Sequence, residues 1–265
     1  MAETFRGWLA ELVHRRDLLY MMTWRDVRVK YKQSVMGFLW AILMPIIIVS
    51  AGLTLRFAYA RLSGRSVHAE DMVLVTVKSV PWAFFVSSIR FASTSLITNT
   101  NLVTKIYMPR EIFPISAVLS QLVDFTVASA VVLVVAIVVG VPAHLTQLWI
   151  PLLLLGLILL TGALAIFLSA AALFFRDVKY LVEVVLTFAI FFTPVFYEVH
   201  LFGRWAPVLL LNPVAPLLEG IGAAAIGQPM PGAGWLAYSG LLAVLGLLAS
   251  LAFFKRVEPY FAESA

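Results

Sequence analysis

The 51 residues from Phe125 to Phe175 carry no Asp, Glu, Lys or Arg. A second uncharged run covers the 23 residues 33–55. As a helix rising ~1.5 Å per residue, a run of that length reaches ~34 Å, enough for a hydrocarbon core about 30 Å thick. Apolar residues make up 62% of the 265-residue chain and charged residues 12%, about half the roughly 25% charged share of a soluble domain. That balance excludes an ordinary cytosolic globular domain, and also a disordered chain, which needs the opposite composition. The apolar runs are continuous, with no period of two, which argues against a transmembrane β-barrel. The chain reads as an all-α membrane protein.

Six spans are predicted. Span one covers about 35–57, span two about 73–97 with Lys78 and Arg90 inside it, and span three about 113–139 with Asp124 inside it. The long uncharged run is too long for one crossing; Gly140-Val141-Pro142-Ala143-His144 supplies a turn, and span four follows at about 149–173. Span five is placed at about 179–198 and span six at about 235–254, closed by Lys255-Arg256. Between them Trp205–Leu218 is uncharged but broken by Pro207, Pro213 and Pro216, and is too short to cross. It reads as a re-entrant or interfacial segment. The resulting organisation is a cytoplasmic segment 1–34, a transmembrane domain 35–254 and a tail 255–265. The first 34 residues are too polar for the apolar core of a secretory signal, so insertion is expected to rely on the internal spans.

Thirteen lysines and arginines fall in segments predicted on one side of these spans and four on the other. The positive-inside rule then puts both termini in the cytoplasm, as an even number of crossings also requires. The net charge of +5 is read as cations held at an anionic membrane face, with no nucleic-acid partner.

Before span one, Tyr20, Trp24, Val27 and Tyr31 share one helical stripe, and Arg25, Arg28 and Lys32 form the adjacent one. A basic stripe beside an apolar one predicts an interfacial helix whose cations reach lipid phosphates; a plain topology signal is the simpler reading. A cation at the bilayer centre costs roughly 2.5–3.5 kcal/mol, so Lys78 and Arg90 call for partners, snorkelling or a polar pathway; Asp124 is the expected partner of Arg90. The segment Asn99–Pro114 presents Ile106, Tyr107 and Met108 beside Lys105, Arg110 and Glu111, as a simple connection or as a docking knob. Aromatics gather at Trp40, Trp82, Phe84, Phe85, Phe188, Phe191, Phe192, Phe196 and Tyr197. Most such residues are packing or belt residues, though aromatic faces also suit passing sugar rings.

No catalytic constellation is visible. The chain has no cysteine and no G-x-x-x-x-G-K-[ST] phosphate loop. His14, His68, His144 and His200 are far apart in sequence, and Glu70-Asp71 has no evident base or nucleophile beside it.

Four ordered blocks carry a family resemblance. They are Arg25-Asp26-Val27-Arg28-Val29-Lys30-Tyr31-Lys32-Gln33-Ser34-Val35-Met36-Gly37-Phe38-Leu39-Trp40 with Pro45; Pro81-Trp82-Ala83-Phe84-Phe85 with Asn101 through Glu111; Arg176-Asp177 with Thr193-Pro194-Val195-Phe196-Tyr197; and Leu211-Asn212-Pro213. With these the chain resembles the membrane subunit of polysaccharide-export ABC transporters, the exporters of O-antigen, capsule or teichoic acid. The resemblance implies a homodimer of six-helix chains in the bacterial inner membrane, with a separate ATPase subunit on each half. It implies no cofactor in this chain, ATP and Mg being held by the ATPase, and a lipid-linked polysaccharide as cargo.

On that resemblance Asn101, Lys105, Tyr107, Pro109, Arg110 and Glu111 belong to the ATPase-coupling loop, and Trp24, Arg25, Arg28, Tyr31 and Lys32 to an interfacial helix in contact with membrane lipids. Trp82, Phe85, Arg90, Phe192, Phe196, Tyr197 and Asn212 are candidate channel or gate residues. Two departures stand out: Lys78 where the family often has Gly, and Gly222 where it often has Arg. The alternatives are an exporter of another amphipathic cargo such as a glycolipid or drug, a membrane-bound transferase acting on lipid-linked sugars, and a scaffold without transport.

Overall fold

The structure is a computed structural model and describes residues 14–32, 39–63, 69–105 and 108–261. Helices account for the regular structure of these residues: α1 (Arg16–Lys32), α2 (Leu39–Ser63), α3 (Ala69–Ser93), the short α4 (Ser95–Thr98) and α5 (Thr100–Lys105), and α6 (Ile112–Val139). A 3-10 turn (Leu145–Trp149) leads into α7 (Ile150–Phe174), and α8 (Val178–Ala189) follows. A second 3-10 segment (Val199–Trp205) runs into α9 (Ala206–Leu210), then come α10 (Val214–Ile226) and α11 (Ala233–Val257), which ends in the turn Glu258–Tyr260.

Four stretches are long and apolar enough to cross a bilayer: Met72–Ser93, Ile112–Val134, Leu145–Phe174 and Ala233–Tyr260. They coincide with the predicted spans two, three, four and six. Helix α2, 25 residues long, overlies predicted span one from residue 39 onward, while residues 35–38 of that prediction lie outside the described residues. Predicted span five, about 179–198, is not one continuous helix. Helix α8 has 12 residues and stops at Ala189, a reach of only ~18 Å. Turns occupy residues 190–198, because Pro194 lacks the amide that would continue the helix and its ring disfavours a helical residue before it. Apolar continuity through Phe191 and Phe192 hid that stop.

The proline-broken stretch after α8 is helical in short pieces, none long enough to cross. Pro207, Pro213 and Pro216 fall at a helix start, at an N-cap and in a first turn, where an amide has no intrahelical acceptor and proline costs nothing. The far end of α10 is closed by side chains. Thr146 Oγ1 donates to the carbonyl of Ala224 (2.9 Å) and Gln147 Nε2 to that of Ala225 (3.0 Å), satisfying acceptors the helix itself leaves open. Gly140, with φ +78°, closes α6 in the left-handed conformation, and the amide of Val141 reaches back to Ala136 at 2.9 Å.

Helix α3 sits at the centre, against α2, α6, α7, α8 and α10. Trp82, Phe84, Phe85 and Ile89 of α3 pack with Leu157 and Leu160 of α7 and with Leu217, Leu218 and Ile221 of α10. A second cluster joins Leu96, Val103, Ile112 and Phe113 to Ile166 and Ala170 of α7, Phe254 of α11, and Phe261. Helices α7 and α11 pack most extensively of all, with small residues between them: a Cβ built on Gly246 would stand 3.6 Å from that of Ala163. Close backbone approach of this kind drives helix association where lipid removes the hydrophobic incentive. Gly246→Leu is expected to force the pair apart at roughly 1–3 kcal/mol, measured as a lower thermal midpoint in detergent; an unchanged midpoint would show that the contact is loose.

Candidate functional site

Three groups of side chains gather most of the residues singled out in the sequence, and each is placed by a different part of the helical frame. The first fastens α1 to α6. Asp26 accepts from Ser116 Oγ at 3.0 Å, Lys30 donates to Gln121 Oε1 at 2.9 Å, and Asp124 accepts from both Lys30 Nζ and the Tyr31 hydroxyl. The order of these contacts, 26 with 116 and 31 with 124, lays the second half of α1 alongside α6 in the same direction. Asp124 therefore pairs with α1 and not, as the sequence led us to expect, with Arg90. An acid within a span needs such a partner.

The α1 stripes are redistributed accordingly. Tyr20, Met21, Trp24 and Val29 are exposed, Met22 is buried, and Tyr31 turns inward. Arg28 lies over the Trp24 ring at 5.8 Å, Arg25 pairs with its neighbour Asp26 at 2.8 Å, and Lys32 is exposed. Burial, followed by the hydrogen bond and charge of Asp124, pushes the Tyr31 phenol above its ordinary range.

The second group is the segment between α3 and α6. Helix α5 presents Asn101, Thr104 and Lys105 outward and inserts Val103 into the second cluster. Pro109 and Glu111 are buried. Glu111 is only 1% exposed and meets Lys255 Nζ at 2.8 Å, and Lys255 also meets Glu258 at 3.2 Å. The Arg110 guanidinium donates to the Glu258 carbonyl and lies over the Phe261 ring at 5.8 Å. The docking-knob reading thus divides: Asn101 and Lys105 face out, whereas Arg110 and Glu111 are turned toward the end of α11. Tyr107 lies outside the described residues.

The third group surrounds the turn after α8. Asn212 Nδ2 donates to Thr193 Oγ1 at 2.9 Å, and Asn212 Oδ1 accepts from the amide of Val214 at 3.1 Å, so one side chain starts α10 and ties it to the turn. The Phe196 ring lies where any side chain on Gly52 would have to go: a Cβ there would stand 2.5 Å from Phe196 Cδ1. The Tyr197 hydroxyl donates to the Phe191 carbonyl at 2.9 Å. Lys78 Nζ donates to the Tyr197 carbonyl at 2.6 Å and lies 3.5 Å from Glu219 Oε1, which accepts the Val199 amide at 2.8 Å. Trp82 and Phe85, expected near a channel, stack on each other at 5.5 Å between centroids and are buried in the main core. Phe192 is exposed, and Arg90 (46% exposed) donates from Nε to both oxygens of Glu183 on α8, at 2.8 and 3.0 Å.

The arrangement contains a frame of helices, an outward-facing short helix at one end and a polar turn within the bundle. Residues 17–226 match the family model described as ABC-2 type transporter. The chain belongs to the ABC-2 type transporter family. It is 28% identical, over 204 residues, to the O-antigen export system permease protein RfbA of Klebsiella pneumoniae, covering 76% of this chain and 77% of that one. It is 26% identical over 257 residues to the O-antigen export system permease protein RfbA of Myxococcus xanthus, covering 96% and 97%.

In this ABC-2 chain the two departures noted in the sequence touch each other. A Cβ on Gly222 would stand 3.1 Å from both Cγ and Cδ of Lys78, so the absence of a side chain at 222 leaves the lane in which the Lys78 stem lies. Sequence reasoning missed Glu219 and Glu183 as the charge partners of Lys78 and Arg90. Their only signal is an acid on an apolar segment, which shows that a cation is needed but not which one.

Proposed function

We propose that this ABC-2 chain is the permease half of an exporter that moves a lipid-linked polysaccharide, O-antigen by the names of its relatives, from the cytoplasm across the bacterial inner membrane. The family match over residues 17–226 carries the reading, and the length over which both relatives align supports the cargo. Two copies enclose the pathway, and a separate subunit that binds ATP and Mg powers each half. Helix α2 supplies a fifth crossing, since 25 residues reach ~38 Å. Helix α8 and the turn after it supply the sixth, which keeps both termini cytoplasmic. Irregular backbone at membrane depth is tolerated where protein covers it, and Thr193, Pro194 and Val195 are buried. The hairpin of residues 199–211, the 3-10 segment with α9, dips back from the outer side as the exit gate, with α10 behind it.

The exposed face of α5, with Asn101 and Lys105, is the contact for the ATPase; Arg110 and Glu111 stand behind it and pass its movement to α11. Reconstitution with the ATPase tests both parts. The wild-type pair is expected to export lipid-linked polysaccharide in an ATP-dependent way, and Lys105→Glu with Asn101→Asp to reduce substrate-stimulated ATP hydrolysis on the order of tenfold, by setting like charge against the partner's docking surface. Export by this chain without any ATPase, or full coupling in the double variant, would overturn the assignment.

A further inference from the structure

The turn Tyr197–Val199 is held from two sides by charge. Lys78 is 1% exposed, and a lysine at that depth stays charged only with partners that replace water. It donates to the carbonyl of Tyr197 at 2.6 Å and faces Glu219 at 3.5 Å, while Glu219 takes the amide of Val199 at 2.8 Å. One member of the pair belongs to α3, the most enclosed of the candidate spans, and the other to α10. Together they grip both ends of the same three-residue stretch.

Beyond Val199 the hold on the body is weak. Residues 199–211 contribute Val199, Ala206, Leu209 and Leu210 to a small cluster with Ala215 of α10 and Trp235 of α11, apart from the main core, and the Leu211 carbonyl accepts from the Tyr238 hydroxyl at 3.0 Å. Phe202, Trp205, Val208 and Leu211 are exposed. A segment that buries so little apolar surface is the first to open, and its polar attachments decide when. A buried ion pair is suited to that task. Desolvation offsets most of its attraction, so the two charges separate at little net cost when both reach water together, whereas loss of one partner strands the other.

We propose that Lys78 and Glu219 are the positioning pair of the exit gate: they clamp Tyr197–Val199, and with it the hairpin 199–211, against α3 and α10 in the resting state, and release it as the hairpin swings away during export. This inference rests on the export reading and adds to it the residues that keep the pathway shut.

The test uses the full chain in sealed vesicles, with a trapped small anionic dye reporting passive leak at rest and with ATP-driven export measured when the ATPase is added. Lys78→Met is expected to raise leak on the order of tenfold, since removing one partner shifts a two-state gate toward its open form. Lys78→Arg and the exchange Lys78→Glu with Glu219→Lys are expected to return leak toward the wild-type level, which a merely structural lysine would not predict. Leak unchanged in Lys78→Met at equal inserted amount, or an exchange variant as leaky as the single one, overturns the clamp. Should Lys78→Met fail to insert, the native pair can be watched directly. The chain has no cysteine, so spin labels at His200→Cys and Leu145→Cys, both exposed positions, report the hairpin's distance from the outer end of α7. A single distance that broadens during ATP turnover supports the clamp, and a distance indifferent to turnover overturns it. Failure of the wild-type complex to export sinks the export reading, while the leak and exchange results still judge the clamp.

Discussion

Lys255→Met is expected to lower the stability of this permease by about 3 kcal/mol, because it strands a carboxylate in the protein interior. Glu111 is 1% exposed, its Oε2 has no hydrogen-bond partner among the described residues, and its other oxygen depends on Lys255 at 2.8 Å. Lys255 also bridges to Glu258 at 3.2 Å, and the backbone amide of Arg110 reaches Glu258 Oε1 at 3.4 Å. The network joins the segment before α6 to the end of α11. At roughly 2–4 °C per kcal/mol for a chain of this size, the thermal midpoint in detergent should fall by about 6–12 °C. Adding Glu111→Leu to Lys255→Met should recover most of the loss, since an apolar pair of similar volume carries no stranded charge. A midpoint that does not move in the single variant, or a double variant no better than the single, would show that water reaches Glu111.

Asp124→Ala is expected to cost on the order of 1–3 kcal/mol and to loosen α1 from α6, because it removes the acceptor that Lys30 and Tyr31 share and leaves the Lys30 ammonium only its bond to Gln121. Lys30 and Asp124 retain side-chain exposures of 26% and 20%, which keeps the figure below that for a fully enclosed pair. Proteolysis between α1 and α2 is the sensitive measurement: cleavage should quicken in the variant while the midpoint of the remaining bundle changes little. Asp124→Asn should also bring the Tyr31 phenol back toward its ordinary range by removing the charge, though not the burial, that raises it. The sign follows from the raised value. The tie between the neutral phenol and Asp124 is fully present below the ordinary tyrosine range and is lost as pH rises through the elevated one. An ultraviolet titration in which Asp124→Asn leaves Tyr31 unchanged, or a protease pattern identical to wild type, would place α1 under other control.

The two predictions share a cause. Both concern charges on or just before an apolar helix that the fold satisfies from a distant segment. Asp124 finds Lys30 and Tyr31 more than ninety residues earlier, and Glu111 finds Lys255 near the other end of the chain. Each junction ties a segment at the end of the bundle to a long helix, so damage there is expected to reach both stability and coupling.

Much of the frame was legible in the sequence because membrane insertion is governed by length and apolar continuity, which are properties of a single strand of residues. Four predicted crossings recur as helices with ends within a few residues of those expected, and the proline-rich stretch before α11 forms short helices as its punctuation requires. The helix of span five was drawn too long because apolar continuity outweighed Pro194, although a backbone rule that needs no tertiary information would have ended it before that residue. The ion pairs were not legible. Hydropathy states that Lys78, Arg90 and Asp124 each need a partner, but it contains no direction, and Arg90–Asp124 was as reasonable on paper as the observed Arg90–Glu183 and Lys30–Asp124.

By itself, then, the sequence determined that this is a helical membrane protein with a basic amino-terminal helix, and its ordered motifs pointed to the exporter family. The tertiary structure alone decided which side of each helix faces protein. It turned Arg110 and Glu111 inward, packed Trp82 against Phe85 inside the core, and brought Gly222 beside Lys78. The physical reason is that burial from water or lipid acts along a segment and can be read along it, whereas the pairing of isolated charges depends on the rotation and register of helices, which are set only when they pack.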